Sequence, residues 1–187
     1  MITQLKNNLR ESIDLQNGFL TSELGHIIQL AKEIHGVLKA GNKILICGNG
    51  GSAADAQHFS AELIGRYFKE RRSYAALALS TDTSSLTAIG NDYGFDAIFS
   101  RQIEGLGNAG DILIAISTSG KSPNIIKAVG AAKYRGIRTI ALLGRDGGAL
   151  KDLVDDSFIV PSTVTARIQE IHEMILHFIC ESLDDLS

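Results

Sequence analysis

The sequence predicts a doubly wound α/β fold of flavodoxin-like or Rossmann-like type: five mainly parallel strands sandwiched by helices, with further helices at the N-terminus. Three observations carry that expectation. Short apolar runs such as Ile44–Cys47 and Ile112–Ile116 recur between longer helical patterns, and unbroken apolar strands belong to parallel sheets covered on both faces. Two of these runs end in turns rich in glycine or hydroxyls, Gly48–Gly51 and Ser117–Ser122, where open α/β sheets bind their ligands. No low-complexity linker divides the 187 residues, a length that suits one domain burying roughly 70% of its unfolded surface.

The elements follow in order. Leu5, Leu9, Ile13 and Leu20 mark one helical stripe, and Ile27, Ile28, Leu30, Ala31, Ile34 and Leu38 mark a stronger one. Gly41–Asn42 stops the second helix as a C-cap, so residues 1–41 read as two N-terminal helices and 42–187 as the α/β core. The core begins with a strand at Lys43–Cys47, a helix at Ser52–Tyr67, a strand at Ala75–Leu79 and a short helix near Ser84–Gly90. A helix at Phe95–Gly105, a strand at Asp111–Ile116 and a helix at Pro123–Arg135 come next, then a strand at Thr139–Leu143. A short helix at Ala149–Val154, a strand at Ser157–Val160 and a long helix from about Ala166 to Leu183 complete the chain. The terminal helices hold more apolar surface than one sheet face covers, so an oligomer is expected.

Composition narrows the function. The chain is 44% hydrophobic and 21% charged with a net charge of −3, an ordinary globular balance. Its one basic cluster, Lys69, Arg71 and Arg72, reads as a solvated loop. Nucleic acid and anionic membrane are therefore not expected partners. Cys47 and Cys180 lie in apolar stretches without metal-type spacing and read as reduced core thiols. The stretch MITQLKNNLRESID lacks the apolar core of a signal peptide, and no run reaches bilayer-spanning length. A cytoplasmic protein is expected.

The chemistry concentrates in three segments. In CGNGGSAADAQHFSAEL, glycines let backbone amides approach a ligand at a helix N-terminus. One face of that helix carries Asp55, His58 and Glu62. Gly48–Ala53 also fits a dinucleotide pattern, but no acidic residue stands about 20 positions on, and Asp82 is too distant. In ISTSGKSPN, Ser117, Thr118, Ser119 and Ser122 crowd around Gly120, and Pro123 opens the next helix. Such a loop donates many hydrogen bonds to a phosphate monoester without a fixed cation. In ARIQEIHEMILH, Gln169, Glu173 and His177 form one ridge at the border of an apolar face. Two helices that each offer His with Glu or Gln suit either a transition-metal site or an acid–base pair.

The blocks CGNGGSAADAQHFSAEL, GNDYGFDAIFSRQ, ISTSGKSPN and RIQEIHEMILH together resemble the sugar-isomerase (SIS) domain family, and within it the bacterial sedoheptulose 7-phosphate isomerases. The similarity runs essentially from end to end. It implies that Ser117, Thr118, Ser119 and Ser122 hold the substrate phosphate, while Asn49, Gly50, Gly51, Ser52, Asn91 and Asp92 line the sugar chain with Gln169. It assigns Glu62 as general base and His177 as general acid. It also implies one zinc ion per subunit on His58, Glu62, Gln169 and His177, and a homotetramer with sites built from more than one subunit. The implied substrate is a phosphorylated seven-carbon sugar, and the implied product is a precursor of lipopolysaccharide heptose. A regulatory branch, the DnaA initiator-associating protein, shares the fold and the ARIQE motif. Its positions matching Glu62 and His177 are not Glu and His, whereas this chain keeps both. The chain departs from many isomerases at Ala166, where they carry Asp, which puts one sugar contact in doubt.

Overall fold

The computed structural model describes residues 1–187. Strands β1 (Ile44–Gly48), β2 (Ala76–Ala78), β3 (Ile112–Ser117), β4 (Arg138–Gly144) and β5 (Asp156–Val160) form one sheet. Its order is β2-β1-β3-β4-β5, and every pairing is parallel. All five predicted strands are present. The register sets Leu45 beside Leu77 and Leu113, and side-chain alternation then divides the core in two. Ile44, Ile46, Ile112, Ile114 and Ile116 face helices α1 (Ile2–Leu15), α2 (Thr21–Lys39), α3 (Gly51–Ile64) and α7 (Thr165–Leu186). Leu45, Cys47, Leu113 and Ala115 face α5 (Ser100–Leu106) and α6 (Pro123–Tyr134), with α4 (Thr83–Tyr93) at the rim through Leu86 and Ile89. Both cysteines are buried and unpaired, as expected. No helix is long and apolar enough to cross a membrane.

The N-terminal region departs from the two separate helices predicted. α1 passes into α2 through a single widened turn at Gln16–Leu20, with helical backbone angles throughout. Such a turn shifts the helical phase by one residue, which lets Leu15 and Leu20 both turn inward. The predicted cap after α2 does form: Gly41 has φ 87°, and the amides of Gly41 and Asn42 donate to the carbonyls of Leu38 and Val37. α1 is fastened to the start of α7 by polar contacts. Ser12 Oγ donates to Glu170 at 2.8 Å, and Arg167 pairs with Glu170 and donates to the Asn8 carbonyl at 2.8 Å. On its outer side, Leu5, Leu9 and Ile13 remain exposed.

One expectation is corrected. Arg71 does not belong to a solvated loop; its side chain and that of Asp184 are each 3% exposed, and their Nε–Oδ1 distance is 3.0 Å. Arg71 also donates to the Glu62 and Leu63 carbonyls at 2.8 and 3.0 Å, which ends α3 three residues before the predicted Tyr67. The other Asp184 oxygen accepts from the Phe68 and Lys69 amides at 2.8 Å each. Burial pushes the Asp184 carboxyl up, but those two amides and the guanidinium outweigh it and hold it below the usual range. Lys69 and Arg72 are exposed, as expected.

Breaking a buried pair leaves an uncompensated charge, so Asp184→Asn should lower the unfolding free energy by about 3–5 kcal/mol at pH 7, read by denaturant titration. A depressed folded-state value contributes stability above the unfolded carboxyl value of about 3.9, and this is lost as pH falls through the folded value. The gap between wild type and variant should therefore close in acid.

Candidate active site

The hydroxyl loop stands where predicted, between the end of β3 and the start of α6. Ser122 is the N-cap and Pro123 the first helical residue. Ser117 Oγ accepts from the Gly120 amide at 3.2 Å and lies 3.3 Å from Ser122 Oγ, while Ser119 Oγ accepts from the Lys121 amide at 3.2 Å. These bonds fold the loop upon itself with the α6 amides at its floor. Support from behind was not foreseen. Gly120 has φ 63°, and a Cβ there would run into the Gly147 carbonyl; the Leu150 amide donates to the Gly120 carbonyl at 3.1 Å. The Gly147–Gly148 pair was the sequence signal for this close approach.

The glycine turn is equally tight. A Cβ on Gly48 would overlap Ser52, and one on Gly51 would overlap the Gln169 amide. Gly50 has φ 56° at the N-cap of α3, and Ser52 is buried behind it. Asn49 is joined to Asn124 by a reciprocal amide pair, 2.9 Å in each direction, which locks the glycine turn to the hydroxyl loop. Asn124 was not singled out in the sequence, and nothing about a lone Asn in a first helical turn marks it. Beside this bridge opens a cleft of about 490 Å³ whose walls include Asn49, Gly50, Gln57, Ser80, Thr87 and Phe95. Asn91 and Asp92 sit exposed at the end of α4, hydrogen-bonded to each other at 2.8 Å, and neither lines that cleft.

The titratable groups meet along the seam between α3 and α7. His58 Nε2 lies 2.8 Å from His177 Nε2, 3.1 Å from Glu173 Oε1 and 3.7 Å from Glu62 Oε1. His177 Nε2 is 3.5 Å from the same Glu173 oxygen. All four side chains are roughly one-quarter to two-fifths exposed, so solutes reach them. Asp55, one turn before His58, is pushed up to about 6, first by burial and then by the charge of Glu173. Its inner oxygen has no hydrogen-bond partner. Of the four positions expected to bind metal, His58, Glu62 and His177 converge. Gln169 lies two turns up α7 with its amide against Gly51, and Glu173 takes the place nearest the histidines. His172, one turn past Gln169, is fully buried; its Nε2 meets the Leu143 carbonyl at 2.9 Å, and burial pulls it down to about 4.

A parallel sheet with a hydroxyl loop at one strand end and a histidine–carboxylate cluster nearby defines a class of sugar-phosphate-handling α/β domains. Comparison with known proteins makes this specific. The SIS domain model matches residues 9–144, and the chain belongs to that family. The phosphoheptose isomerase of a Nitratiruptor species is 62% identical over 148 residues, 79% of each chain. That of Citrifermentans bemidjiense is 52% identical over 185 residues, covering 98% of this chain and 96% of its own. The structure of phosphoheptose isomerase GmhA from Neisseria gonorrhoeae superposes with a TM-score of 0.92 at 47% identity over 98% of both chains.

Strain at the hydroxyl loop is directly testable. Gly120→Ala forces a side chain onto a left-handed residue against a carbonyl. Strain of about 1–3 kcal/mol should weaken binding of a phosphorylated sugar by about tenfold or more, measured calorimetrically, with the far-ultraviolet circular dichroism unchanged.

Proposed function

We propose that the chain is a phosphoheptose isomerase interconverting sedoheptulose 7-phosphate and D-glycero-D-manno-heptose 7-phosphate. The observation that carries the reading is the convergence of His58, Glu62 and His177 from two helices in a domain whose hydroxyl loop suits a phosphate. Relatives 50–62% identical to this chain bear that name. The regulatory alternative is not favoured. A lipopolysaccharide role for the product follows from the same reading.

Ser117, Thr118, Ser119 and Ser122 bind the phosphate with the α6 amides, and that binding energy positions the reacting end. Asn49, Gly50, Gly51 and Ser52 border the sugar chain, joined by Gln169 through its contact with Gly51 and by Asn91 and Asp92. Glu62 takes a proton from C1 of the open-chain ketose while the C2 carbonyl oxygen gains one, which gives the enediol. Loss of the O1 proton and delivery of a proton to C2 then yield the aldose. His177 passes protons between O1 and O2 as the general acid and base.

The donor chemistry of the seam fits zinc: His58, Glu173 and His177 bring donor atoms within 4.8 Å of one another, and Glu62 Oε1 stands 3.7 Å from His58 Nε2. His58, Glu62 and His177 would hold it, with Gln169 the fourth group the family pattern implies. Bound there, zinc would polarise the substrate oxygens. The axial distance from Gly51 to Glu62 is about 16 Å at 1.5 Å per residue. That span, with the exposed Leu5, Leu9 and Ile13 stripe, favours a homotetramer in which neighbouring subunits complete each site.

Incubation of the pure protein with sedoheptulose 7-phosphate should yield the aldose. Glu62→Gln and His177→Gln should each lower kcat by about 10²–10⁴-fold while the melting temperature stays close to wild type. A wild-type protein inactive with and without zinc would instead support the regulatory reading.

A further inference from the structure

Between the two ligand loops the fold buries an amide that no catalytic role uses. Asn124 is the second residue of α6 and is 2% exposed. Its side chain and that of Asn49 exchange two hydrogen bonds of 2.9 Å each across 75 positions. A primary amide carries two N–H donors and a carbonyl with two lone pairs. The reciprocal pair therefore consumes one donor and one lone pair from each residue, and leaves one of each free.

The two residues face different surroundings. Asn49 lines the cleft beside the glycine turn, and Asn124 does not. The donor and the lone pair left on Asn49 are thus what it offers to a sugar hydroxyl, which itself both donates and accepts. Asn124 stands behind it and reaches the cleft only through Asn49. The start of its helix is also the floor of the hydroxyl loop. The N-cap Ser122 makes no side-chain cap bond, so the first-turn amides of α6, that of Asn124 included, stay open to an anion. One residue has its backbone at the anion end and its side chain at the polyol end. Turning Asn49 away would break both bonds at once and leave the buried Asn124 amide unpaired.

We propose that Asn124 is a positioning residue for the isomerisation: it fixes the Asn49 amide against the sugar chain and ties that amide to the phosphate loop. The inference rests on the reading of the hydroxyl loop as phosphate site and the glycine turn as sugar site. Phosphate bound on α6 then braces the group that orients the sugar, and remote binding energy reaches the reacting carbons through this pair.

The full-length protein is assayed with sedoheptulose 7-phosphate, and its binding of inorganic phosphate is measured calorimetrically. Asn124→Ala keeps a good helix former in α6 and should lower kcat/KM by about tenfold. Its affinity for inorganic phosphate should stay within about twofold of wild type, because the loop hydroxyls and amides remain. Asn49→Ala should show the same split, and the double variant should lose no more than the worse single one, as coupled residues do. Asn124→Asp should be impaired at neutral pH, where an ionised carboxylate has no proton to donate to the Asn49 carbonyl. In acid its protonated carboxyl both donates and accepts, so its rate relative to wild type at the same pH should rise above that of Asn124→Ala. Thermal melts check the fold, and Asn124→Asp decides if Asn124→Ala does not fold. Wild-type kcat/KM in Asn124→Ala, losses that multiply in the double variant, or an Asn124→Asp rate that stays flat against wild type in acid overturns the inference and leaves the isomerase standing. Equal loss of inorganic phosphate affinity and kcat/KM would make Asn124 a support of the loop alone, and overturns it too. A wild type without turnover overturns the isomerase reading and this inference with it.

Discussion

The site depends on how closely α3 and α7 pack. Ile168, Ile171, Ile175 and Ile179 of α7 and Ala56, Phe59 and Leu63 of α3 are fully buried in one core with the sheet's isoleucines. Burying that many side chains at roughly 1.5–3 kcal/mol each fixes the rotation of both helices. The border of each apolar stripe then carries its polar neighbours into the seam, which is why His58 and His177, 119 positions apart, come within 2.8 Å. Two imidazoles and several carboxylates at such distances do not attract one another without a shared proton or cation. The apolar packing imposes their proximity. The buried Arg71–Asp184 pair performs the matching task at the other end, where it fastens the last carbonyls of α3 to the C-terminal part of α7.

The two loops at the sheet's carboxyl edge are held by a different principle, close backbone approach. Gly48, Gly51, Gly120 and the Gly147–Gly148 pair each stand where a side chain would strike a neighbour. The reciprocal Asn49–Asn124 amides then join the glycine turn to the hydroxyl loop. A loop so confined presents its hydroxyls and amides without reorganising when an anion arrives, which is where electrostatic binding gains most over water. Arg145, also left-handed at φ 61°, turns the chain into that supporting segment.

Much of this was legible in the sequence because the signals are local. Unbroken apolar runs mark buried parallel strands, and Ser122–Pro123 marks a helix start; both hold within a residue or two. What was not legible depends on partners far along the chain. Arg71 looks solvated until Asp184, 113 positions away, is brought beside it. Asn124 has no meaning without Asn49. The ridge of Gln169, Glu173 and His177 was visible, but periodicity cannot say which of the three meets α3 and which meets the glycine turn. The continuous N-terminal helix was missed for another reason: a widened turn has no distinctive residue, and the two stripes it joins looked like separate helices because their phase changes at Gln16–Leu20.

The division of labour along α7 follows from its spacing. Arg167 and Glu170 turn outward to hold α1, and His172 is sunk against the end of β4, where burial keeps it neutral. Gln169 meets the glycine turn, while Glu173 and His177 meet His58. At 3.6 residues per turn, one helix thus touches α1, the sheet and α3 on three faces within three turns. A small rotation of α7 would disturb all three contacts together. The rigidity of the N-terminal helix against Arg167 is therefore part of what keeps the imidazoles facing each other.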